Sequence, residues 1–459
     1  MIDCTPFVET LGGKAVAVFG LGVSGLATVE ALIAAEAKVI VWDDTEEARE
    51  KALALGAQAH ELTTETLKDC ACLVLAPGVP LHFPEPHPVV IAAREADVEI
   101  LCDIEILHRV NHSRNIPRKT IGITGTNGKS TTTALIHHIL NECNFENEMG
   151  GNIGVPAMSM DMPDRGGVLV LEMSSYQIDL CPKFTPEIAV LLNITPDHLD
   201  RHGSMEGYVA AKARMFEGGG HAIISAEDMH SWQINEQVKD AAQREIIPLK
   251  VGDDCGETFN APALKGKHNI QNIKAAWFVC KLLGIEKEAF LKALQSFPGL
   301  NHRQYHVRKI GKVTFINDSK ATNAEAAAKA LGAYDNIYWI VGGQAKDGGL
   351  KGLEPYKERI KHAFLIGQSQ VEFEHWMREN EIAYSLSGTL ETAVKDANAL
   401  SAEDQVRSDE AEAVVLLSPA CASWDQFKNF EDRGNQFSDL VAELEGDESA
   451  EQQNGLDAA

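Results

Sequence analysis

Positive charge is scarce in this chain of 459 residues, which has 41 lysines and arginines against 67 aspartates and glutamates and a formal net charge of -26. Binding to nucleic acid generally requires a basic face, so this composition argues against a nucleic-acid partner. It does not exclude an anionic small molecule, because a local group of amides and lysines can override the overall field.

The sequence also lacks cysteine pairs in metal or redox spacing, a basic leader and an unbroken apolar span. Cys70 and Cys72 are one residue apart, which fits neither a zinc knuckle nor a redox pair. Most of the nine cysteines are therefore expected to be buried thiols in a reducing compartment. The N-terminal "MIDCTPFVET" has no basic region, which argues against a secretory signal. Three glycines and Glu30 interrupt the apolar stretch 15–35, so we expect a cytoplasmic protein without membrane insertion.

Apolar runs alternate with helical stretches along the chain, a pattern typical of stacked β–α units with parallel sheets. Helices are predicted at 24–37, 129–142 and 268–284. Ten segments predict strands: 14–20, 37–43, 72–78, 119–125, 167–175, 187–195, 313–319, 336–343, 362–368 and 412–420.

The length exceeds what one hydrophobic core supports, and polar segments with Pro or Gly near 113 and 299 resemble domain joints. We predict three α/β domains: a Rossmann-like domain over 1–112, a central P-loop ATPase-type domain with a parallel sheet over 113–298, and a C-terminal Rossmann-like domain over 299–445. The acidic tail 446–459 is expected to be disordered.

The first glycine-rich turn, "GLGVSG" at 20–25, follows an apolar strand and opens a helix, and Asp43 closes the next strand. Dinucleotide-binding loops have this arrangement, because glycines let the backbone approach a diphosphate at a helix N-terminus. The loop alone leaves three possibilities open: NAD or FAD, another diphosphate such as a nucleotide sugar, or no ligand.

The second glycine-rich turn, "GITGTNGKST" at 122–131, departs from the standard phosphate loop, since Ile123 stands where the pattern requires a glycine. It still places Gly-Lys-Ser between a strand and a helix. Lys129 can therefore reach the terminal phosphates of ATP, and Ser130 can bind Mg²⁺. The amides from Thr126 to Lys129 are expected to cradle the phosphates.

Acidic and imidazole side chains follow this loop at the ends of later strands. Glu172 ends "VLVLE", where it could complete a magnesium shell or be a solvated acid. His198 and His202 in "NITPDHLDRH" are four residues apart. Their spacing permits a zinc helix, one histidine near the nucleotide metal, or an exposed pair. Because the sequence has no thiolate pattern, we favour one histidine near the nucleotide metal.

The motifs "GITGTNGKST", "LEMSSYQ", "NITPDHLDRH", "AAKARMF" and "GKHNIQN" together resemble the central ATPase domain of the Mur ligases. These enzymes join amino acids to peptidoglycan precursors. Folylpolyglutamate synthases share the central motifs, so these specify the chemistry only. "GLNHR", "NDSKATN", "VGGQAKDGG" and "LSPACASWDQFKNFEDRGNQF" are similar to the branch that adds D-glutamate to UDP-N-acetylmuramoyl-L-alanine. The resemblance extends over essentially the whole chain apart from the acidic tail.

The resemblance implies that the N-terminal domain binds the UDP-sugar substrate, the central domain ATP, and the C-terminal domain D-glutamate. It also implies an acyl-phosphate intermediate, release of ADP and phosphate, and Mg²⁺, with two ions expected. A monomeric enzyme is expected. A folylpolyglutamate synthase should lack the first glycine loop, and an NAD-dependent oxidoreductase would leave Lys129 without a role. A non-catalytic nucleotide-binding module would not need Lys212, Arg303 and Lys346 together.

Individual roles follow from the same resemblance. The residues expected to be catalytic are Lys129, His198, Lys212 and Arg303. The residues expected to bind ATP are Gly125, Thr126, Asn127, Gly128, Lys129, Ser130, Thr131, Asn272, Arg303 and Asp318. The UDP-substrate contacts are Gly22, Val23, Ser24, Asp43, Gly78, Asn152 and His198. The D-glutamate contacts are Thr322, Lys346, Ser423 and Phe430. The metal ligands are Ser130, Glu172, His198 and Lys212, the last as a carbamate. One departure is Asp44, where related enzymes often have a basic residue near the uracil nucleotide.

Overall fold

The computed structural model of the chain describes residues 1–114, 117–163, 166–241, 243–250, 259, 261, 263–264, 267–346, 348–407 and 412–445. The predicted acidic tail, 446–459, lies outside the described residues. The chain divides into two compact units. The first is Met1–Asn260 with His268–Gln295, and the second is Ala261–Lys267 with Ser296–Ala459.

The first unit opens with a five-stranded parallel sheet in the order β3-β2-β1-β4-β5. Its strands are β1 (Ala15–Phe19), β2 (Val39–Trp42), β3 (Gln58–Ala59), β4 (Cys70–Leu75) and β5 (Glu99–Leu101). Its helices are α1 (Thr5–Glu9), α2 (Val23–Ala34), α3 (Glu46–Ala54), α4 (Thr64–Leu67), α5 (Pro88–Glu95) and α6 (Asp103–His112). Every residue of β1 is buried, as expected for a central parallel strand covered on both faces.

The strand order of this sheet reverses at β1, so the loops after β1 and β4 meet at its carboxyl edge. Ligands of open α/β sheets generally bind at such a point. Gly20, with φ of +89°, packs so closely on the second loop that an added Cβ would lie 2.5 Å from the Cβ of Ala76. Only glycine fits there without displacing the neighbouring loop.

The same unit contains a six-stranded parallel sheet in the order β11-β10-β9-β6-β8-β7. Its strands are β6 (Lys119–Thr124), β7 (Asn147–Gly151), β8 (Val168–Glu172), β9 (Ile188–Leu191), β10 (Gly220–Ser225) and β11 (Arg244–Leu249). Its helices are α7 (Lys129–Glu142), α8 (Ser175–Asp179), α9 (Leu199–His202), α10 (Met205–Ala213), α11 (Met229–Ala241), α12 (Lys267–Leu282) and α13 (Lys287–Gln295). Because β6 lies between β9 and β8, the loop after β6 is next to the ends of both.

One continuous hydrophobic core joins these two sheets, from Ile2 near the N-terminus to Val238 on α11. The backbone N–H of Ile2 donates to the carbonyl of Met158 at 3.0 Å. The Sγ atoms of Cys102 and Cys181 lie 3.3 Å apart in the same core. The domain boundary predicted near 113 falls within this unit and stays a prediction, as does the boundary near 299.

The second unit is built on a six-stranded sheet in the order β12-β13-β17-β14-β15-β16. Its strands are β12 (Tyr305–Ile310), β13 (Val313–Asn317), β14 (Ile337–Gly342), β15 (Ile360–Ile366), β16 (Tyr384–Gly388) and β17 (Ala413–Leu417). Its helices are α14 (Ala324–Leu331), α15 (Gln370–Glu379), α16 (Leu390–Arg407) and α17 (Phe430–Ala442). Strand β12 is antiparallel to β13, and the other pairings are parallel. Side chains alternate along β14, so Trp339 enters the core on one face and Tyr338 the core on the other.

The α/β prediction with mostly parallel sheets is confirmed, and each of the ten predicted strands coincides with a strand of the structure. Within the described part of the chain, no helix is both long enough and apolar enough to cross a membrane.

Candidate active site

The second glycine-rich turn connects β6 to α7 at the carboxyl edge of the central sheet. Gly128 caps α7 with φ of +87°, and an added Cβ there would collide with the side-chain amide of Asn272. The predicted nucleotide contact Asn272 therefore does lie beside this loop. Ser130 is buried in the first turn of the helix, and Thr131 follows it.

Two amides of the predicted phosphate cradle hold the loop itself. The N–H of Thr126 donates to the carbonyl of Asn193 at 2.9 Å, and the N–H of Asn127 donates to the Oδ1 of Asn193 at 2.9 Å. Asn193 follows β9 and was not among the predicted site residues. The amides of Thr126 and Asn127 thus fix the loop to the neighbouring strand end in this structure.

Lys129 folds back over the loop that precedes it. Its Nζ donates to the carbonyls of Gly125 and Thr126, each at 2.9 Å. A phosphate group bound at the helix N-terminus could replace these carbonyls as the hydrogen-bond acceptor of the Lys129 ammonium, because phosphate and carbonyl groups both offer oxygen acceptors.

Lys212 on α10 contacts the same loop. Its side chain is 1 % exposed, and its Nζ donates to Thr124 Oγ1 at 3.1 Å and to the carbonyl of Gly125 at 3.2 Å. The Nζ also lies 4.7 Å from the ring centroid of Tyr208. Burial, followed by the positive charge of Lys129, lowers the pKa of Lys212 well below its usual value. Helix α10 therefore places this lysine at the phosphate loop.

Glu172 ends β8 next to this loop and is 2 % exposed. Its Oε1 accepts a hydrogen bond of 2.9 Å from the Nδ2 of Asn152, whereas its buried Oε2 has no hydrogen-bond partner among the described residues. A buried carboxylate oxygen without a partner is costly unless a cation or donor binds it.

The residues present fit a magnesium ion. No group of three or more His, Cys, Asp or Glu side chains in the described residues could hold a metal on its own. Magnesium does not need such a cage, since it usually binds one or two carboxylates together with waters and substrate phosphates. For such a shell, Glu172 supplies its carboxylate Oε2 and Ser130 supplies the hydroxyl group of a buried residue.

His198 and His202 occupy different surroundings. His198 has φ of +53°, and its Nε2 lies 3.4 Å from Asp197 Oδ2. Burial and the positive charges of Lys129 and Lys212 lower the pKa of His198. His202 instead forms a 2.9 Å hydrogen bond through its Nε2 with Ser175 Oγ. The charges of both Lys129 and Lys212 act on His198, whereas burial and the charge of Lys212 lower the pKa of His202. That a single histidine lies near the nucleotide stays a prediction.

The first glycine-rich turn is held by the acid that the sequence singled out. Asp43 accepts hydrogen bonds from the N–H groups of Leu21, at 2.7 Å, and Thr45, at 2.9 Å. Burial raises the pKa of Asp43, but these hydrogen bonds outweigh burial, and the net pKa is lowered. Gly22 caps α2, and Val23 at the start of that helix is 77 % exposed and Ser24 partly exposed.

A basic residue missed by the sequence analysis lies beside this turn. The Arg49 guanidinium stacks 4.6 Å from the ring centroid of Trp42 and donates to the backbone carbonyl of Asp43. Arg49 follows Thr45 by one helical turn, a spacing that could have indicated it. It supplies a positive charge close to Asp44.

The remaining predicted site residues belong to the second unit. Asp318 is buried and accepts hydrogen bonds from Ser418 Oγ at 2.8 Å and the Gln304 N–H at 3.1 Å. Burial raises the pKa of Asp318 to about 7, against these two hydrogen bonds and the positive charge of Arg303. Both carboxylate oxygens therefore already have protein partners.

The predicted D-glutamate contacts differ in exposure. Ser423 is buried, Thr322 and Phe430 are half-buried, and Lys346 is exposed. Lys320 is not among the predicted contacts, although its Nζ lies 5.0 Å from the ring centroid of Phe430. Its place two residues before Thr322 in "NDSKATN" could have indicated it.

Two family models and several curated relatives match this chain. Residues 14–102 match the model of the Mur ligase MurD-like N-terminal domain, and residues 123–254 match the Mur ligase middle domain. The UDP-N-acetylmuramoylalanine--D-glutamate ligase of Rhizobium etli is 44% identical over 96% of this chain and 97% of its own length. The protein of the same name from Caulobacter sp. strain K31 is 46% identical over 95% of this chain and 97% of its own length.

Solved structures share the fold at much lower identity. The UDP-N-acetylmuramate-alanine ligase MurC from Thermotoga maritima superposes with a TM-score of 0.56 at 16% identity, covering 94% of this chain and 99% of that one. MurF from Acinetobacter baumannii gives a TM-score of 0.56 at 20% identity, covering 93% of each chain.

Proposed function

The chain belongs to the Mur ligase family, within the branch of the UDP-N-acetylmuramoylalanine--D-glutamate ligases, and we propose that it joins D-glutamate to UDP-N-acetylmuramoyl-L-alanine at the expense of ATP. One geometric observation carries the proposal. A buried lysine, Lys212, contacts the phosphate loop close to a buried carboxylate, Glu172, one oxygen of which has no hydrogen-bond partner in the part of the chain that the structure describes.

The reaction requires activation, because a carboxylate does not condense with an amine in water. Transfer of the γ-phosphoryl group of ATP to the L-alanyl carboxylate gives an acyl phosphate and ADP. The amine of D-glutamate then attacks the acyl carbon, phosphate leaves, and the amine loses a proton. Positioning and charge neutralisation are the main contributions of a protein to such a transfer.

We assign the phosphate-loop residues to ATP. The ammonium of Lys129 exchanges its loop carbonyls for phosphate oxygens and, with Arg303, stabilises the transferring phosphoryl group. Ser130 and Glu172 hold Mg²⁺, with His198 near a second ion. Bound magnesium neutralises phosphate charge. The other proposed ATP contacts are Gly125, Thr126, Asn127, Gly128, Thr131, Asn272 and Asp318.

Lys212 is assigned a carbamate. A neutral amine attacks CO₂, forming an N–C bond and releasing a proton. Burial lowers the pKa of Lys212, which favours the neutral amine that this step needs. The anionic product would suit a site beside Mg²⁺ better than an ammonium next to Lys129 does.

The two other substrates are assigned to separate residue sets. Asn152, whose amide donates to Glu172, and His198 are proposed to contact the muramoyl part of the UDP-substrate. The remaining proposed UDP-substrate contacts are Gly22, Val23, Ser24, Asp43 and Gly78. The proposed D-glutamate contacts are Thr322, Lys346, Ser423 and Phe430. We also propose that the enzyme works as a monomer in the cytoplasm.

Phosphate release tests the reaction directly. With ATP, Mg²⁺ and UDP-N-acetylmuramoyl-L-alanine present, we expect turnover with D-glutamate and little with L-glutamate or L-alanine. Equal turnover with L-glutamate would contradict the assignment to the D-glutamate branch. The reaction without UDP-substrate is the control for unproductive ATP hydrolysis.

A thermal-shift measurement tests the first glycine loop, which by sequence alone could bind NAD. UDP-N-acetylmuramoyl-L-alanine should raise the Tm, whereas NADH at the same concentration should leave it unchanged. Stabilisation by NADH alone would contradict the UDP-substrate assignment.

A further inference from the structure

Arg201 on α9 contacts the backbone of the first sheet's loop region. Its Nη1 donates to the carbonyl of Gly78 at 2.8 Å, and its Nη2 donates to the carbonyl of Pro77 at 3.4 Å. The guanidinium Cζ lies 4.7 Å from the ring centroid of Tyr176. One side chain therefore joins a helix next to the central sheet to the loop after β4.

The loop after β4 is itself packed against the first glycine-rich turn. The N–H of Ala76 donates to the carbonyl of Phe19 at 3.0 Å, and the N–H of Val79 donates to the carbonyl of Ala76 at 2.9 Å. Gly20 of the glycine-rich turn leaves no room for a Cβ against Ala76. Displacement of Pro77 and its neighbours would therefore be transmitted to the proposed diphosphate loop.

On the side of α9, Arg201 and Tyr176 also lie next to His198. The backbone N–H of Arg201 donates to the carbonyl of His198 at 3.0 Å. The Tyr176 ring, which supports the guanidinium, lies 5.0 Å from the His198 ring between centroids. The geometry of Arg201 is thus coupled to the histidine that faces the phosphate-loop lysines.

We propose that Arg201 is a positioning residue that sets the distance between the first glycine-rich turn and His198, and thereby determines how well the UDP-substrate is held at both ends. This inference rests on the proposed function. The substrate carries a diphosphate at one end and the reacting carboxylate at the other, so a change in this distance disturbs its binding more than that of ATP.

Arginine suits this position better than lysine does. Its planar fork can donate to two successive carbonyls while its face stacks on an aromatic ring, and an ammonium offers neither the fork nor the flat face. Arg201→Lys should therefore preserve only part of the affinity for the UDP-substrate.

Steady-state kinetics with Arg201→Ala test the proposal. We expect the KM for UDP-N-acetylmuramoyl-L-alanine to rise about tenfold, the size expected for losing charged hydrogen bonds to two carbonyls, with an intermediate rise for Arg201→Lys. The KM for ATP should stay within about twofold of the wild-type value. An unchanged KM for the UDP-substrate, or an equal rise in both KM values, would overturn the proposal.

Arg94→Ala is the matched control. Arg94 also donates to a carbonyl of the same loop, that of Leu81 at 3.1 Å, but it belongs to α5 beside the first sheet, and its hydrogen bonds within the described residues stay within this loop. It should behave like the wild type. Tyr176→Leu is a second variant should Arg201→Ala not fold, because it removes the supporting ring and should raise the same KM. A normal KM in Tyr176→Leu would also count against the proposal.

Calorimetric binding separates this inference from the proposed function. Titration of UDP-N-acetylmuramoyl-L-alanine into wild type and Arg201→Ala measures affinity without ligation. Binding by wild type that weakens in the variant supports the positioning role even if D-glutamate is not the second substrate. If wild type and Arg201→Ala bind the UDP-substrate with equal affinity, and the wild type turns over D-glutamate normally, the positioning role is rejected and the proposed function stands.

Discussion

Two lysines share one carbonyl at the phosphate loop. The Nζ atoms of Lys129 and Lys212 both donate to the oxygen of Gly125, at 2.9 Å and 3.2 Å. Two ammonium groups so placed repel each other, and Lys212 is the more buried of the two. Loss of the positive charge from Lys212 removes this conflict, which is why the two lysines are expected to differ in role.

Lys129→Ala should lower kcat by a factor on the order of 10² or more, because it removes a cation facing the charge that develops on the phosphoryl group. The Tm should change little, since the Nζ hydrogen bonds that are lost are to carbonyls of the loop directly before α7. The measurement is phosphate release at saturating substrates. Lys38→Ala removes an exposed lysine with a comparable backbone contact, to Gly13, and serves as the control. Near-normal kcat in Lys129→Ala would show that this loop is not catalytic.

Lys212→Ala should lose most activity, because no carbamate can form. A small carboxylic acid in solution should restore part of it by supplying the missing anion. Lys212→Arg should not be rescued, since a permanent cation would occupy the site. The measurement is phosphate release by both variants, with and without the added carboxylic acid. A fully active alanine variant, or an arginine variant that equals wild type, would assign Lys212 a structural role only.

At the scale of elements, several of the strands that the sequence predicted are buried along their whole length. Strands β1, β9 and β17 are buried at every position, so apolar runs reveal them. The missed strands include edge strands such as β12, "YHVRKI", and β7, "NEMGG". An edge strand is covered incompletely and tolerates polar residues and glycine, so its sequence does not differ from that of a loop.

The site was predictable to the extent that each residue follows a strand or lies on a helix with a recognisable motif. Lys212 and Glu172 belong to this class. Asn193 and Arg201 lie in the motif "NITPDHLDRH", but nothing in that motif indicates their contacts with groups far away in sequence. Spacing along the chain gives no information about such contacts.

Helix α6 carries a buried histidine that should make stability depend on pH. His108 is 9 % exposed, and its ring centroid lies 5.5 Å from that of Phe184 near the central sheet. Burial, with the positive charges of His112 and Arg109, lowers the pKa of His108 to about 4 from the ordinary 6.5. The folded chain therefore keeps this ring neutral where the unfolded chain protonates it.

The sign of the effect follows from this difference. Protons bind the unfolded state more strongly, so the contribution of His108 is present above a pH of about 6.5 and is lost as the pH falls towards about 4. Relative to His108→Leu, the wild type should lose about 2 kcal/mol of unfolding free energy between about pH 7.5 and about pH 5. Urea denaturation of both proteins measures this. Parallel pH profiles would contradict the depressed pKa.

At the scale of the molecule, the proposed ligand sets divide between the two compact units. All proposed UDP-substrate contacts lie in the first unit, and all proposed D-glutamate contacts lie in the second. Each unit has its own buried core. Each also contains three of the six tryptophans: Trp42, Trp232 and Trp277 in the first, and Trp339, Trp376 and Trp424 in the second.

Urea unfolding followed by tryptophan fluorescence should therefore show two transitions. UDP-N-acetylmuramoyl-L-alanine should stabilise only the transition of the first unit, by about 2.7 kcal/mol at about 100 times its Kd. Trp339→Phe changes the signal of the second unit and identifies its transition. A shift of both transitions by the same amount, or a single transition throughout, would contradict independent unfolding of the units.

The contact made by Arg201 has a consequence for evolution. Pro77 and Gly78 contribute main-chain oxygens, so neither position needs a particular side chain to accept the guanidinium. Substitutions at 77 or 78 that preserve the course of the loop leave the contact intact, and no compensating change at 201 is selected. Correlated substitutions among related sequences would therefore not reveal this contact, and the arginine could be lost only together with the function that it supports.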